Sequence, residues 1–260
     1  MKKTLRLISW NVNGIRAWHK KGASDFLFTE QPDFLCLQEI KAEEDQLPED
    51  LAYPEGYFSY FESSKARKGY SGVAIYSKYE ADKVETGLGI KELDQEGRFL
   101  ALHFGDLVLI TCYFPNGGGG PERLEYKLKY YDAFYKYISK LKKGNKKVVF
   151  CGDVNTAHTE VDLARPKENI DNTGFLPIER AWIDKLIKSD WIDTWRYKNP
   201  KTVERYSYWD MKTRARERNV GWRIDYFFVS PNLEKNIKEV DILDNVLGSD
   251  HCPIELKLSL

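Results

Sequence analysis

Six times in this chain a short apolar run stops on an amide, a carboxylate or an imidazole. The endings are Ser9-Trp10-Asn11, Leu37-Gln38-Glu39, Tyr113 to Asn116, Gly152-Asp153-Val154-Asn155, Arg223-Ile224-Asp225 and Ser249-Asp250-His251. Any one of them is unremarkable, since Asn and Asp bond their own backbone and tolerate tight bends. Six endings of one chemistry constrain the fold far more. Strands that finish together on one rim gather such groups into a single cleft, whereas six unrelated turns have no reason to share them.

The runs themselves read as strands. Residues 5–10, 34–38, 72–77, 99–104, 107–113, 148–151, 224–229 and 252–258 are rich in Val, Ile, Leu and aromatics, mostly between Gly, Pro, Asn or Asp. The run 107–113 is apolar almost throughout, as suits a strand buried on both faces. Two longer stretches carry helical spacing. In 123–141, Leu124, Leu128, Tyr131, Phe134, Tyr135 and Ile138 recur at three- and four-residue intervals, with Pro121 placed for a first turn. In 177–188, Ile178, Ala181, Trp182 and Leu186 repeat the spacing. No Ser/Gly-rich linker divides the chain, and the glycines at 117–120 suffice only for a turn. The expectation is one α/β domain over residues 1–260, two packed sheets with helices outside. Periodicity does not give the strand order.

Composition works by exclusion. The 40 basic and 40 acidic side chains cancel, so a polyanion site must come from local segregation of charge. Residues 196–223 supply it, with nine Lys/Arg against three Asp/Glu, an excess of six. Cys36, Cys112, Cys151 and Cys252 sit in or beside apolar runs without zinc-site spacing. They read as buried reduced thiols, which suits the cytoplasm. No run approaches the ~20 apolar residues of a membrane span, and the start lacks a signal-peptide pattern. The expected setting is therefore cytoplasmic, without a membrane partner.

In order along the chain, SWNVNGIRAW (9–18), LQEIK (37–41), KGYSGVAIYS (68–77), YFPNG (113–117), CGDVNTAHTEVDLARPKEN (151–169), NVGWRIDYFFVS (219–230) and GSDHCPIEL (248–256) make the endings recognisable. The chain resembles the exonuclease III/AP endonuclease family of the DNase I-like superfamily over essentially its whole length. That resemblance implies a four-layer α/β sandwich. It implies an Mg²⁺ site, with Mn²⁺ as a substitute, formed by Glu39 with Asn11 and Asp250 nearby. Mg²⁺ favours one or two carboxylates with water and phosphate filling the remaining positions. Asn13 stands where some relatives carry Asp, which weakens a direct metal role for it.

Asp153 is the family's candidate for orienting or deprotonating the attacking water. His251 is the other candidate base, with Asp225 fixing its tautomer; as an imidazolium it would instead donate to phosphate. Asn155, Asn116 and Tyr113 would donate to the phosphate, and Tyr113 would assist the leaving oxygen if ionised. His103 reads as structural, and His158 as support for the loop after Asp153.

For DNA, the resemblance assigns Tyr208, Trp222 and Ile224 to a pocket for a flipped abasic sugar, with Tyr and Ile standing where relatives often carry Phe and Leu. Asn169 and Asn172 match residues that bind the lesion and its flanking phosphate, and Tyr70 one that enters the minor groove. Arg16, Arg67 and Lys212 are expected phosphate contacts, the last within KTRARER (212–218), where Tyr206, Tyr208, Trp209 and Trp222 lie close by. The glycines at 117–120 replace a loop that presents an arginine to DNA in some relatives. The implied activity is class II AP endonuclease cleavage of duplex DNA 5′ to abasic sites by a monomer, with 3′→5′ exonuclease action and trimming of blocked 3′ ends. The rivals are a superfamily phosphodiesterase for RNA, inositol phosphates or phospholipid, and a catalytically dead DNA-binding module.

Overall fold

The computed structural model describes residues 3–260. Its elements begin with β1 (Thr4–Asn11), α1 (Ile15–Lys20), α2 (Asp25–Glu30), β2 (Phe34–Gln38), α3 (Glu49–Ala52), β3 (Phe58–Glu62), β4 (Val73–Ser77), β5 (Lys83–Thr86), β6 (Phe99–Phe104) and β7 (Leu107–Cys112). They continue with α4 (Pro121–Lys143), β8 (Lys147–Asp153), α5 (Pro166–Asn169), α6 (Pro177–Lys188), β9 (Ile192–Asp193), α7 (Thr194–Lys198), β10 (Asp225–Val229), β11 (Ile237–Ile242) and β12 (Ile254–Ser259).

The described strands form two six-stranded sheets, ordered β11-β12-β1-β2-β4-β3 and β5-β6-β7-β8-β10-β9. In each, one parallel pair at the centre (β1 with β2, β7 with β8) is flanked by antiparallel neighbours. The alternation of side chains along each strand sorts the core. Leu5, Leu7, Phe34, Cys36, Leu109, Val149, Cys151 and Phe227 meet between the sheets. Ile8, Trp10, Leu35 and Leu37 face α1 and α2 through Ile15, Trp18 and Leu27. Val108, Ile110, Phe150 and Phe228 face α4 and α6 through Phe134, Ile138, Trp182 and Leu186. The layers are thus helix, sheet, sheet, helix, the four-layer α/β sandwich.

The long helix follows its predicted stripe and extends to Pro121, which takes the first helical position. All six residues of β7 are buried, and all four cysteines are buried and free. Four strands carry no apolar run and escaped the periodicity: β3, β5, β9 and β11. All four lie at sheet edges, and β5 and β11 expose half or more of their side chains. No described helix is long and apolar enough to cross a membrane.

Candidate active site

The parallel centre of each sheet aims its strand ends at one rim. Asn11 ends β1 opposite Gln38, which ends β2 and hands the chain to Glu39. Because β12 runs antiparallel to β1, its approach at Asp250 and His251 falls on the same rim. In the second sheet Asp153 ends β8 directly opposite Asp225, which starts β10. The six endings thereby supply walls of one cleft of about 370 Å³ or the shell behind them, with Asn116 exposed at its lip. Its lining includes Glu39, Tyr113, Asn116, Asp153, Asn155, Tyr208, Trp222, Ile224, Asp250 and His251. Asn13, Glu39, Lys41 and Asn155 all adopt positive φ here, backbone strain of a kind that collects at functional sites.

Asp153 is buried at the centre. Its Oδ1 accepts from the Asn155 N–H (2.8 Å), and its Oδ2 from Asn11 Nδ2 (3.0 Å) and Asn155 Nδ2 (3.1 Å). Burial pushes the Asp153 carboxyl up to about 7, against the pull of His251 and with Asp225 and Glu39 adding repulsion. His251 donates through Nδ1 to Asp225 Oδ2 (2.8 Å), while Nε2 stands 3.9 Å from Asp153 Oδ2. Burial opposes its protonation, but Asp225, Asp153 and Asp250 outweigh it and raise the imidazolium to about 10. Ser207 steadies this pair, donating to Asp225 Oδ2 (2.6 Å) and accepting from the Asp225 N–H. The Trp10 indole donates to the His251 carbonyl at 3.0 Å.

The Glu39 carboxylate accepts from Asn11 Nδ2 (2.9 Å) and from the Lys41 ammonium (2.8 Å). Lys41 also donates to Asn13 Oδ1, whose amide nitrogen bonds both oxygens of Asp250 at 3.1 and 3.0 Å. Two carboxylates are thus linked through Asn13 and a single ammonium, so the set retains a demand for positive charge. The donors are hard oxygens, and no described group of three or more His, Cys, Asp or Glu residues is arranged to hold a metal. That donor set suits Mg²⁺, which keeps most of its waters, better than zinc. Asn11 here bridges Glu39 to Asp153, a part its position at a strand end did not announce.

Tyr113 is held by Arg98, an almost fully buried guanidinium that donates to its carbonyl (3.0 Å) and lies 4.4 Å from its ring centroid. Burial, with Glu39 and Asp153 facing it, keeps the Tyr113 phenol well above its ordinary range despite Arg98. It is therefore a neutral hydroxyl donor rather than an ionised one. Asn155 Nδ2 is already committed to Asp153 and the Phe114 carbonyl, and its Oδ1 accepts from Asn116 Nδ2 at 3.0 Å.

Beside these polar groups Tyr208 and Trp222 pack on a separate apolar cluster of Ala157, Leu163, Phe175 and Ile224. Gly174, at positive φ, brings its backbone against the Trp222 ring, where an added Cβ would meet it at 3.3 Å. The basic segment differs from expectation. Tyr206 and Trp209 are core residues, and Arg216 is spent on the carbonyls of Asp244, Val246 and Ser249 over the Trp209 ring. Lys212, Arg16, Arg67 and Asn172 are exposed, and Asn169 is half-buried beside Asn172. The Tyr70 hydroxyl accepts from Arg98 and Arg123 at 3.0 Å each, with Arg67 over its ring. His103 pairs with Glu85, and His158 with Asp184 of α6. Lys41, Arg98 and Ser207 were missed in the sequence. Only Arg98, a lone charge beginning an apolar strand run, left a readable signal.

A two-sheet sandwich whose strand ends present carboxylates, amides and one carboxylate-bound imidazole defines a phosphodiester-cleaving class of protein. The chain belongs to the endonuclease/exonuclease/phosphatase family, whose model matches residues 8–251, and within it to the exonuclease III/AP endonuclease type of hydrolase. It is 42% identical to the exodeoxyribonuclease of Bacillus subtilis over 98% of this chain and 100% of that protein. It is 41% identical to the DNA repair nuclease APEX1 of Danio rerio over 98% of this chain and 83% of that one. Among solved structures, the AP endonuclease LMAP from Leishmania major superposes with a TM-score of 0.90 at 29% identity, covering 99% of this chain and 88% of that chain.

Proposed function

We propose that this chain is an Mg²⁺-dependent DNA repair nuclease, a class II AP endonuclease that hydrolyses the phosphodiester 5′ to abasic sites in duplex DNA. The products are 3′-OH and 5′-deoxyribose phosphate ends, and the same site trims blocked 3′ termini and acts as a 3′→5′ exonuclease. The observation that carries this reading is the adjacency of the Asp153–His251–Asp225 constellation to the small Tyr208–Trp222–Ile224 pocket. A small pocket walled by aromatic and apolar side chains suits a sugar extruded from the duplex. The relatives named as exodeoxyribonuclease and AP endonuclease support the same reading.

Glu39 and Asp250 would hold the metal ion, with Asn11 and Asn13 orienting them. When bound, the ion neutralises charge on the phosphate oxygens. Asp153 orients the attacking water and takes its proton, which a carboxyl titrating near neutrality does well. His251, protonated by its pairing with Asp225, donates Nε2–H to a non-bridging oxygen. Tyr113 and Asn116 add neutral donors, and Arg16, Arg67, Tyr70, Asn169, Asn172 and Lys212 contribute to holding the duplex.

The test is a cleavage panel on one duplex sequence carrying an abasic analogue, a uracil or a blocked 3′ end, in Mg²⁺, Mn²⁺ or EDTA. Incision 5′ to the abasic analogue in Mg²⁺ and none in EDTA is the expected result. An intact abasic duplex alongside turnover of an inositol phosphate would overturn the assignment.

A further inference from the structure

Behind the cleft, α4 and α6 contribute a lysine and a glutamate that are both completely buried, Lys127 and Glu179. The Lys127 ammonium uses all three of its protons, donating to Glu179 Oε1 (2.5 Å), the Asn155 carbonyl (2.8 Å) and Thr156 Oγ1 (2.9 Å). Glu179 is as fully engaged: Oε1 also accepts from the Thr173 hydroxyl (2.8 Å), and Oε2 from the N–H groups of Gly174 (2.6 Å) and Leu176 (3.1 Å). The ammonium therefore holds the loop after β8, and the carboxylate holds the loop before α6. The Ala157 N–H to Gly174 carbonyl bond (2.8 Å) ties the two loops together.

We propose that Lys127 and Glu179 are positioning residues for the hydrolysis, fixing through one buried ion pair the two backbone segments that wall the cleft. Asn155 sits at φ 56. In that left-handed conformation its carbonyl points back to Lys127 while its N–H and side chain reach forward to Asp153 and Asn116. Releasing the carbonyl frees the residue that orients Asp153. On the other loop, Thr173 and Gly174 line the cleft and Gly174 packs under Trp222, so Glu179 sets the depth of the pocket. Packing alone does not call for this pair. A buried ion pair can usually be replaced by neutral side chains of similar volume without loss of stability, whereas removing one partner strands a charge.

The inference rests on the nuclease reading above, and the experiment separates the two. The full chain is compared with the double variant Lys127→Met, Glu179→Gln on a duplex bearing one tetrahydrofuran abasic analogue. Readouts are Tm, Kd for the duplex in EDTA, and single-turnover cleavage in Mg²⁺. Expected are a double variant that stays folded at the assay temperature, a cleavage rate about 10- to 100-fold lower, the scale on which a 1 Å misplacement acts, and a change in Kd smaller than that fall in rate. A folded double variant that cuts as fast as the parent overturns the inference. Should the double variant not fold, Lys127→Arg keeps the charge but cannot place three donors at the same point; a rate equal to the parent's in that variant likewise overturns it. A parent chain that leaves the duplex uncut sinks the nuclease reading instead.

Discussion

Asp153 and His251 stand 3.9 Å apart with opposite assignments of the proton, and this sets the pH behaviour of the site. In the proposed base role Asp153 would work only when ionised, so activity is expected to rise with pH through about 7, its burial-raised value. In the proposed donor role His251 would work only when protonated, so activity is expected to fall again as pH passes about 10. Asp225→Asn removes the main support for the imidazolium and should move the alkaline limb downward; the acid limb should shift downward as well, because the Asp225 charge no longer repels the ionised Asp153. A single-turnover pH–rate profile measures both, and an unmoved alkaline limb would take His251 out of the phosphate-donor role. Asp153→Asn should bind duplex as the parent does and lose the share of a general base, ~10²–10⁴-fold in rate; gel-shift and cleavage assays on one preparation check it. The groups bearing these protons were legible in the sequence because polar residues at strand ends stand out against apolar runs. Their supports were not: Ser207 and Lys41 reach the site from loops, and a lone Ser or Lys in a loop has no pattern to break.

At the scale of elements, the rim depends on how closely β8 approaches β7. Gly152, next to Asp153, has φ +134, and a Cβ there would lie 2.0 Å from the Cys112 carbonyl oxygen. Backbone cannot yield as a side-chain tip can, so Gly152→Ala is expected to cost roughly 2 kcal/mol or more through strain and overpacking. Denaturant unfolding measures that loss, and cleavage should fall with it because Asp153 moves with the strand. The strands of the two sheet centres were readable from composition, since burial on both faces leaves only apolar choices. Edge strands such as β5 (KVET) and β11 (IKEVDI) were not, because one open face admits charge. Lys127 shows the opposite case: it falls on the apolar stripe of α4, three residues after Leu124 and four before Tyr131. A charge at such a position was the one available sign of the buried pair, and periodicity that counts only apolar residues passes over it.

At the scale of the molecule, both sheets repeat one pairing scheme, a parallel pair between antiparallel neighbours, and each contributes one wall of the cleft. Neither sheet holds the constellation alone: Glu39, Asp250 and His251 belong to the first, Asp153 and Asp225 to the second. The chain enters the first sheet through β1–β4, builds the whole second sheet, and returns for β11 and β12. A chain stopped before Ile254 should therefore lack both cleavage and the resistance of β1 to proteolysis, as limited digestion with mass mapping would reveal. That order of assembly bears on the life of the protein while it is being made. On the ribosome, β1 waits with one side unpaired until β12, which lies between it and β11, has emerged. Asp250 and His251 come into place with that same segment. On the proposed roles, a nascent chain would expose Arg16, Arg67 and Lys212 before it could cut a duplex, and competence to cut would arrive only with β12.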